Sequence, residues 1–199
     1  QVKHFIQGYG MTELVVLSCV TPIDDNFEHL GSCGHILPGF DAKLHRHSTG
    51  ETELLLKSDA VMKFYRNGTP NLDEDGYLHT GDIANEKDGF FNIVDRMKDL
   101  IKLNGYQVSP TEIENVILTV PKVAEVAVVG IEDELCGQLP KAFIVLEKGA
   151  DELLFRKHLD HTMKEKLSAV KQLRGGVSII HEMPKSASGK VQKNKLVYY

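Results

Sequence analysis

Apolar positions follow one rhythm in the first half of this chain and another in the second. Up to about residue 94 they come in short pieces bounded by turn residues. Leu14 to Val20 is rich in Val and Leu, Phe40 to Leu44 alternates, Leu54 to Leu56 is apolar, and Ile83 to Asn85 and Phe90 to Val94 flank Asp88-Gly89. Such pieces predict short strands in a small antiparallel or barrel-like unit, with a hairpin at Asp88-Gly89. Further on the period lengthens. Ile113, Val116, Ile117 and Val120 lie at helical spacing, with Ser109-Pro110-Thr111-Glu112 as a start signal and Pro121 as a stop. Phe155, Leu159, Met163 and Leu167 form the stripe of a second helix, read as core packing. Val123 to Ile131, Lys141 to Leu146 and Val177 to His181 read as strands, so the second half is a compact α+β unit.

Between the two rhythms lies a charged joint. Asp95, Arg96, Lys98, Asp99 and Lys102 come at nearly every second place, and Asn104-Gly105 makes a second turn. A charge run of this kind is either a solvated connection or a hinge that carries active-site groups. The domain boundary falls near Arg96 to Lys98.

Composition narrows the class. The chain has 199 residues, of which 42% are hydrophobic and 26% charged, as expected for a globular protein of one large or two small domains. No apolar run approaches the roughly 18 residues of a membrane span, and no signal-peptide pattern opens the chain. The first residue is Gln1, in sequence that reads as mid-element, so a piece of something longer is expected. Cys19, Cys33 and Cys136 are odd in number and lack metal-ligand spacing, which suits buried thiols in a reducing compartment. A net charge of -5 gives no global attraction to nucleic acid. Charge is uneven, however: Met163 to Tyr199 carries eight Lys or Arg against two Glu, a basic tail that is either solvated or faces phosphate.

Several short motifs admit more than one reading. Gln7-Gly8-Tyr9-Gly10-Met11-Thr12-Glu13 has glycines around an aromatic, which permits a turn with backbone close to a ligand, but the third glycine of a dinucleotide fingerprint is absent. His45 and His47 flank Arg46 and read as exposed loop histidines, with a metal pair as the alternative. His158 and His161, three apart on the second helix, also permit a metal pair but lack a third ligand. Asp82, in Tyr77-Leu78-His79-Thr80-Gly81-Asp82, reads from the hexapeptide as a turn-capping residue. Ser188-Gly189-Lys190 reads as an exposed turn; Pro184 and Val191 exclude a Walker P-loop.

Taken together, four stretches resemble one family. Gln7 to Glu13, Tyr77 to Asp82, Asp95 to Glu114, and Pro184 to Lys190 occur in the order and spacing of the adenylate-forming (acyl-CoA synthetase) superfamily. The sequence is similar to the carboxy-terminal part of its 4-coumarate–CoA ligase and firefly-luciferase branch, over essentially the whole chain. The resemblance implies an α+β fold in which residues 1–95 end the large adenylating domain, 96–98 form a hinge, and 99–199 form a small lid domain. It implies a two-step acid–thiol ligase using ATP, Mg²⁺ and coenzyme A. A carboxylate attacks the α-phosphorus of ATP to give acyl-AMP and pyrophosphate, and the thiol of coenzyme A then displaces AMP. Alternatives within the resemblance are a luciferase-type monooxygenase acting through an adenylate, and a non-catalytic descendant that binds nucleotide or a partner.

Residue roles follow by position. Tyr9 would stack on adenine beside Gly10, an apolar plane suited to a purine face. Thr12 would contact the α-phosphate and Glu13 would help hold Mg²⁺, a hard cation that takes oxygen ligands. Asp82 would grip both ribose hydroxyls, each hydrogen bond to its charge being worth about 1.5–3 kcal/mol, with Arg96 as a second ribose contact. Lys190 would bridge the substrate carboxylate and α-phosphate during adenylation, where charge builds on phosphoryl oxygens. Lys98 would be the hinge residue, Lys102 the lysine used in the second half-reaction, and Gly105 the glycine beside which the pantetheine arm passes.

The chain departs from the family in two places. Glycines usual near Ser58 and Phe64 are missing and the loop before Glu51 is short, in a segment expected near the nucleotide. An acidic residue more usual around Cys136-Gly137-Gln138 is also absent, read as a surface variation. The triphosphate loop, an aromatic-His segment and most of the acyl pocket are expected upstream, so the isolated piece is expected to be inactive. A soluble location, cytoplasmic or peroxisomal and not secreted, is expected, although the end Lys-Leu-Val-Tyr-Tyr is not the Ser-Lys-Leu peroxisomal address.

Overall fold

Strands β1 (Gly8–Tyr9), β2 (Cys19–Val20) and β3 (His35–Ile36) form a small antiparallel sheet in that order at the start of the chain. This is a computed structural model, and it describes residues 2–15, 17–68 and 70–197. Val16 of the first apolar run and the terminal Tyr198-Tyr199 lie outside the described residues. The chain divides into two compact units, Gln1–Lys98 and Asp99–Tyr199.

The rest of the first unit is an antiparallel four-stranded sheet in the order β4 (Asp41–Arg46), β5 (Thr52–Lys57), β6 (Leu78–Lys87), β7 (Phe90–Arg96). A bridge between Gly34 and Phe91 ties the small sheet to β7. The hairpin at Asp88-Gly89 forms where the turn residues place it, with longer arms than the apolar pieces suggest. Leu54, Leu55 and Leu56 are all buried, which explains a continuous apolar run: both faces of β5 are covered. Leu14, Leu54, Leu56, Leu78 and Ala84 are the centre of this core. Cys19 and Cys33, distant in sequence, meet as buried free thiols, and contact with Cys19 together with burial pushes the Cys33 thiol up.

The charged joint is not a featureless linker. Asp95 and Arg96 end β7, Met97–Asp99 make a single 3-10 turn, and Ile101 already belongs to the next strand. In the second unit β8 (Ile101–Leu103) and β9 (Tyr106–Val108) form a hairpin around Asn104-Gly105. Helix α1 (Pro110–Leu118) follows; Ser109 Oγ accepts from the Glu112 N–H at 3.1 Å and Pro110 opens the first turn. β10 (Val123–Asp133) and β11 (Gly137–Leu146) make a long hairpin, then come α2 (Glu152–Lys166), β12 (Val177–Ile179) and α3 (Lys193–Leu196). β12 lies parallel to β11, with α2 in the connection between them.

Alternation along the long hairpin sorts its side chains between two cores. Val128, Ala142 and Ile144 face α1 and α2, against Ile113, Ile117, Phe155, Leu159 and Met163. Ala127, Val129 and Phe143 face the other way, under Met183 and Leu196. Val120 and Leu167 join the first core although each lies just past its helix. No helix among the described residues is long and apolar enough to cross a membrane.

Candidate active site

The chemistry-bearing residues of the first unit gather around a distortion in β6. Pairing of β5 with β6 shifts register between Glu53 and Leu55, so Thr80, Gly81 and Asp82 bulge opposite Leu54. Gly81 takes φ +72, a left-handed conformation that a side chain disfavours. Side chains then bond to the backbone that the bulge takes out of the ladder. Thr80 Oγ1 donates to the Leu54 carbonyl at 2.6 Å and accepts from the Asp82 N–H at 3.0 Å, and Glu53 Oε1 accepts from the Gly81 N–H at 2.8 Å. Bulges re-aim side chains. Asp82 is thus a strand residue, only 3% exposed, and not the turn cap suggested by its hexapeptide.

Three residues expected to act together meet there. The Tyr9 hydroxyl donates to Asp82 Oδ2 at 2.6 Å, and Arg96 Nε donates to Asp82 Oδ1 at 3.0 Å. Arg96 is also the residue opposite Asp82 across the β6–β7 pair. Burial and the hydrogen bond to Asp82 push the Tyr9 phenol well above its ordinary value, so it remains a donor. Arg96, Met97, Lys98, Thr80 and Gly81 line a cleft of about 200 Å³ beside this group. Lys98 is exposed on its rim.

Thr12 and Glu13 sit on the 3-10 turn Thr12–Leu14 after Gly10, held down by buried Leu14. Thr12 is exposed, while Glu13 Oε1 accepts from the Tyr65 hydroxyl. Among the described residues no cluster of three or more His, Cys, Asp or Glu is placed to hold a metal ion. The donor set at Thr12-Glu13, one hydroxyl and one carboxylate, fits Mg²⁺, which keeps several waters and takes further oxygens from phosphates.

In the second unit the candidate residues stand on tight hairpins over an apolar base. Lys102 is exposed in β8, and its backbone N–H is held by Gln138 Oε1 at 3.0 Å. The Asn104 N–H donates to the Cys136 carbonyl at 2.9 Å. The Cys136 to Gln138 segment, expected to be a mere surface variation, therefore supports the Lys102 strand. Gly105 has φ +80 and open space where a Cβ would lie. Lys190 is exposed on a loop closed by a Lys185–Val191 bridge, with the Ser186 N–H donating to the Lys190 carbonyl at 2.8 Å. The loop is anchored by Met183 before it and Leu196 after it, both almost fully buried. Among the described residues the Lys190 ammonium has no hydrogen-bonding or ionic partner. His158 and His161 are both exposed, and His161 pairs with Glu165 at 3.9 Å.

The comparisons with known proteins agree on where this arrangement belongs. The sequence profile of the AMP-binding enzyme C-terminal domain matches residues 112–190. An acyl-CoA ligase, lcsD, of Purpureocillium lilacinum is 39% identical over 96% of this chain and 54% of its own length. The luciferin 4-monooxygenase of Photinus pyralis is 37% identical over 96% of this chain and 36% of its own. The ATP-bound structure of MatB from Rhodopseudomonas palustris superposes with a TM-score of 0.84 at 30% identity, covering 97% of this chain and 40% of that one. The Bacillus subtilis o-succinylbenzoate CoA synthetase holding its acyl-adenylate gives 0.83 at 32% identity, with 97% and 41% covered. The chain belongs to the adenylate-forming superfamily. It falls in the branch shared by CoA ligases and luciferases, has the expected α+β fold, and spans about half, or less, of the length of the adenylate-forming relatives it matches.

Residues that sequence reasoning left aside now stand at the centre of the first unit. Glu53 is 2% exposed; its Oε2 is bound by His47 Nε2 and by His79 Nδ1, each at 2.8 Å. Burial raises the Glu53 carboxyl, but hydrogen bonds from His79, the Gly81 N–H and His47 outweigh it and hold the group below its ordinary value. The reading of His45 and His47 as exposed loop residues is therefore corrected. His45 is exposed but lies in β4, and His47 turns inward to a buried carboxylate. The available signal was a charged residue opening the run Leu54 to Leu56, a few places after a His-x-His pair.

Proposed function

We propose that the protein carrying this chain is an AMP-forming acid–thiol ligase, with residues 1–95 ending its adenylating domain, 96–98 serving as hinge and 99–199 as lid. The observation that carries this reading is the Tyr9–Asp82–Arg96 group beside an open cleft, on the motifs that the family uses for its nucleotide. Asp82 presents a fixed, buried acceptor for the ribose hydroxyls, and Arg96 restrains it from the neighbouring strand. On nucleotide entry the Tyr9 ring offers a face to adenine while its hydroxyl keeps Asp82 oriented. Thr12 reaches the α-phosphate, and Glu13 would help hold Mg²⁺, which would accompany ATP and neutralise phosphate charge.

In the first half-reaction a carboxylate oxygen bonds to the α-phosphorus and pyrophosphate leaves. Lys190 supplies an ammonium, without a partner among the described residues, where charge builds on the phosphoryl oxygens. In the second, the thiol sulfur of coenzyme A bonds to the acyl carbon and AMP leaves, after rotation about Lys98 brings Lys102 and Gly105 to the site. Free cysteines support a reducing location, cytoplasmic or peroxisomal.

The test is carboxylate-dependent ATP–pyrophosphate exchange by the full-length protein over a panel of aliphatic and aromatic acids, followed by thioester formation on adding coenzyme A. Exchange with at least one acid is expected; binding of AMP without exchange for any acid would favour a non-catalytic descendant. A second reading rests on the similarity to luciferin 4-monooxygenase. Oxygen uptake and light from a supplied adenylate, in place of thioester formation, would select it.

A further inference from the structure

The Thr80–Asp82 bulge holds its shape through a buried side chain. Glu53 lies behind the strand, 2% exposed, and binds the Gly81 N–H with one oxygen while two histidines hold the other. Gly81 directly precedes Asp82, and the neighbouring Thr80 hydroxyl caps the Asp82 N–H. A carboxylate fixed at both oxygens thus sets the height of the bulge, and with it the direction in which Asp82 leaves the sheet. The two histidines come from different elements: His47 follows β4 and His79 lies in β6. His45 edges against the ring of His47 at 4.8 Å and closes the cluster on its outer side. Two segments separated in sequence, the stretch after β4 and the strand β6, therefore converge on one carboxylate of β5 behind the residue proposed to hold ribose.

We infer that Glu53, clamped by His47 and His79, is a positioning residue that sets Asp82 for recognition of the two ribose hydroxyls. The inference rests on the nucleotide reading above and adds a specific claim to it. Glu53 contributes to hydroxyl recognition, not to adenine or phosphate binding. Removing its charge lets the Gly81 N–H and Asp82 relax, so the ribose contacts lengthen while the phosphate and base contacts stay.

The experiment compares AMP with 2′,3′-dideoxy-AMP by calorimetry on the full-length protein, in the parent and in Glu53→Gln. The parent is expected to prefer AMP by at least tenfold. Glu53→Gln is expected to weaken AMP binding about tenfold and to leave the dideoxy ligand within twofold, collapsing the preference. In turnover, KM for ATP should rise with kcat within about threefold. An equal loss for both ligands would show a merely structural role and overturn the inference, as would an unchanged preference. Should Glu53→Gln fail to fold, the milder His47→Asn decides: a selective loss of about threefold for AMP supports the inference, and none refutes it. Absence of any AMP preference in the parent would instead sink the nucleotide reading itself.

Discussion

Among the described residues, the buried polar and charged groups, Ser18, Thr21, Ser32, Glu53, Thr80, Asp82 and Asp95, all belong to the first unit, while the buried residues of the second are apolar. The candidate site follows the same division. In the first unit Asp82 is sunk in a sheet and bonded at both oxygens. In the second, Lys102 and Lys190 project from short hairpins above two layers of aliphatic and aromatic packing. A group that must grip one ligand in one geometry gains from being fixed in advance by partners, despite the cost of burying it. A cation that serves in only one of two orientations gains from staying hydrated and unpaired. The two halves thus illustrate opposite ways of presenting charge.

The strongest challenge to this contrast is Lys190→Ala in the full-length protein. Adenylation should fall by about 10²–10³-fold, the usual cost of removing one such donor, while thioester formation from supplied acyl-AMP changes little. The melting temperature should not move, because the ammonium has no partner among the described residues. A drop in both half-reactions, or in stability, would place Lys190 in a structural network like those of the first unit.

Acidification separates the units more gently. The Glu53 carboxyl is held below its ordinary value, so its contribution to stability is complete above the usual glutamate range of about 4.3 and is lost as pH falls through its folded value. Amide exchange in β5 and β6 should therefore accelerate below about pH 4.3 before exchange in β10 and β11 does. Glu53→Gln should abolish the difference; simultaneous loss in both units would contradict it. The smallest effect is expected at Gln192 in the second unit, whose Oε1 is buried without a partner among the described residues. An orphaned polar atom there adds nothing, so Gln192→Met should be neutral or stabilise by up to about 1 kcal/mol in thermal melts.

Local signals were largely legible in advance. Ile113 and Ile117 at helical spacing, the Ser109 cap, and the turns at Asp88-Gly89 and Asn104-Gly105 all form where their chemistry puts them. What stayed hidden depends on groups that meet only after folding. The Tyr9 ring reads as an apolar plane, yet its hydroxyl finds a carboxylate 73 residues away. Glu53 stands beside three leucines, and its partners lie 6, 26 and 28 residues off on other segments. Parallel pairing of β12 with β11 is equally silent, because period-two alternation says nothing about strand direction.

Gly105 carries a last consequence, one of handedness. Its φ of +80 requires a glycine for the turn alone, while the space around it is open to a methyl group. Any ordinary substitution there disturbs the turn and blocks the surface together, so the two demands cannot be separated with the natural alphabet. D-Alanine, the mirror-image residue, is at ease at positive φ and still adds the methyl. Introduced by peptide ligation, it would leave the hairpin intact and test by obstruction alone the passage proposed there for the pantetheine arm.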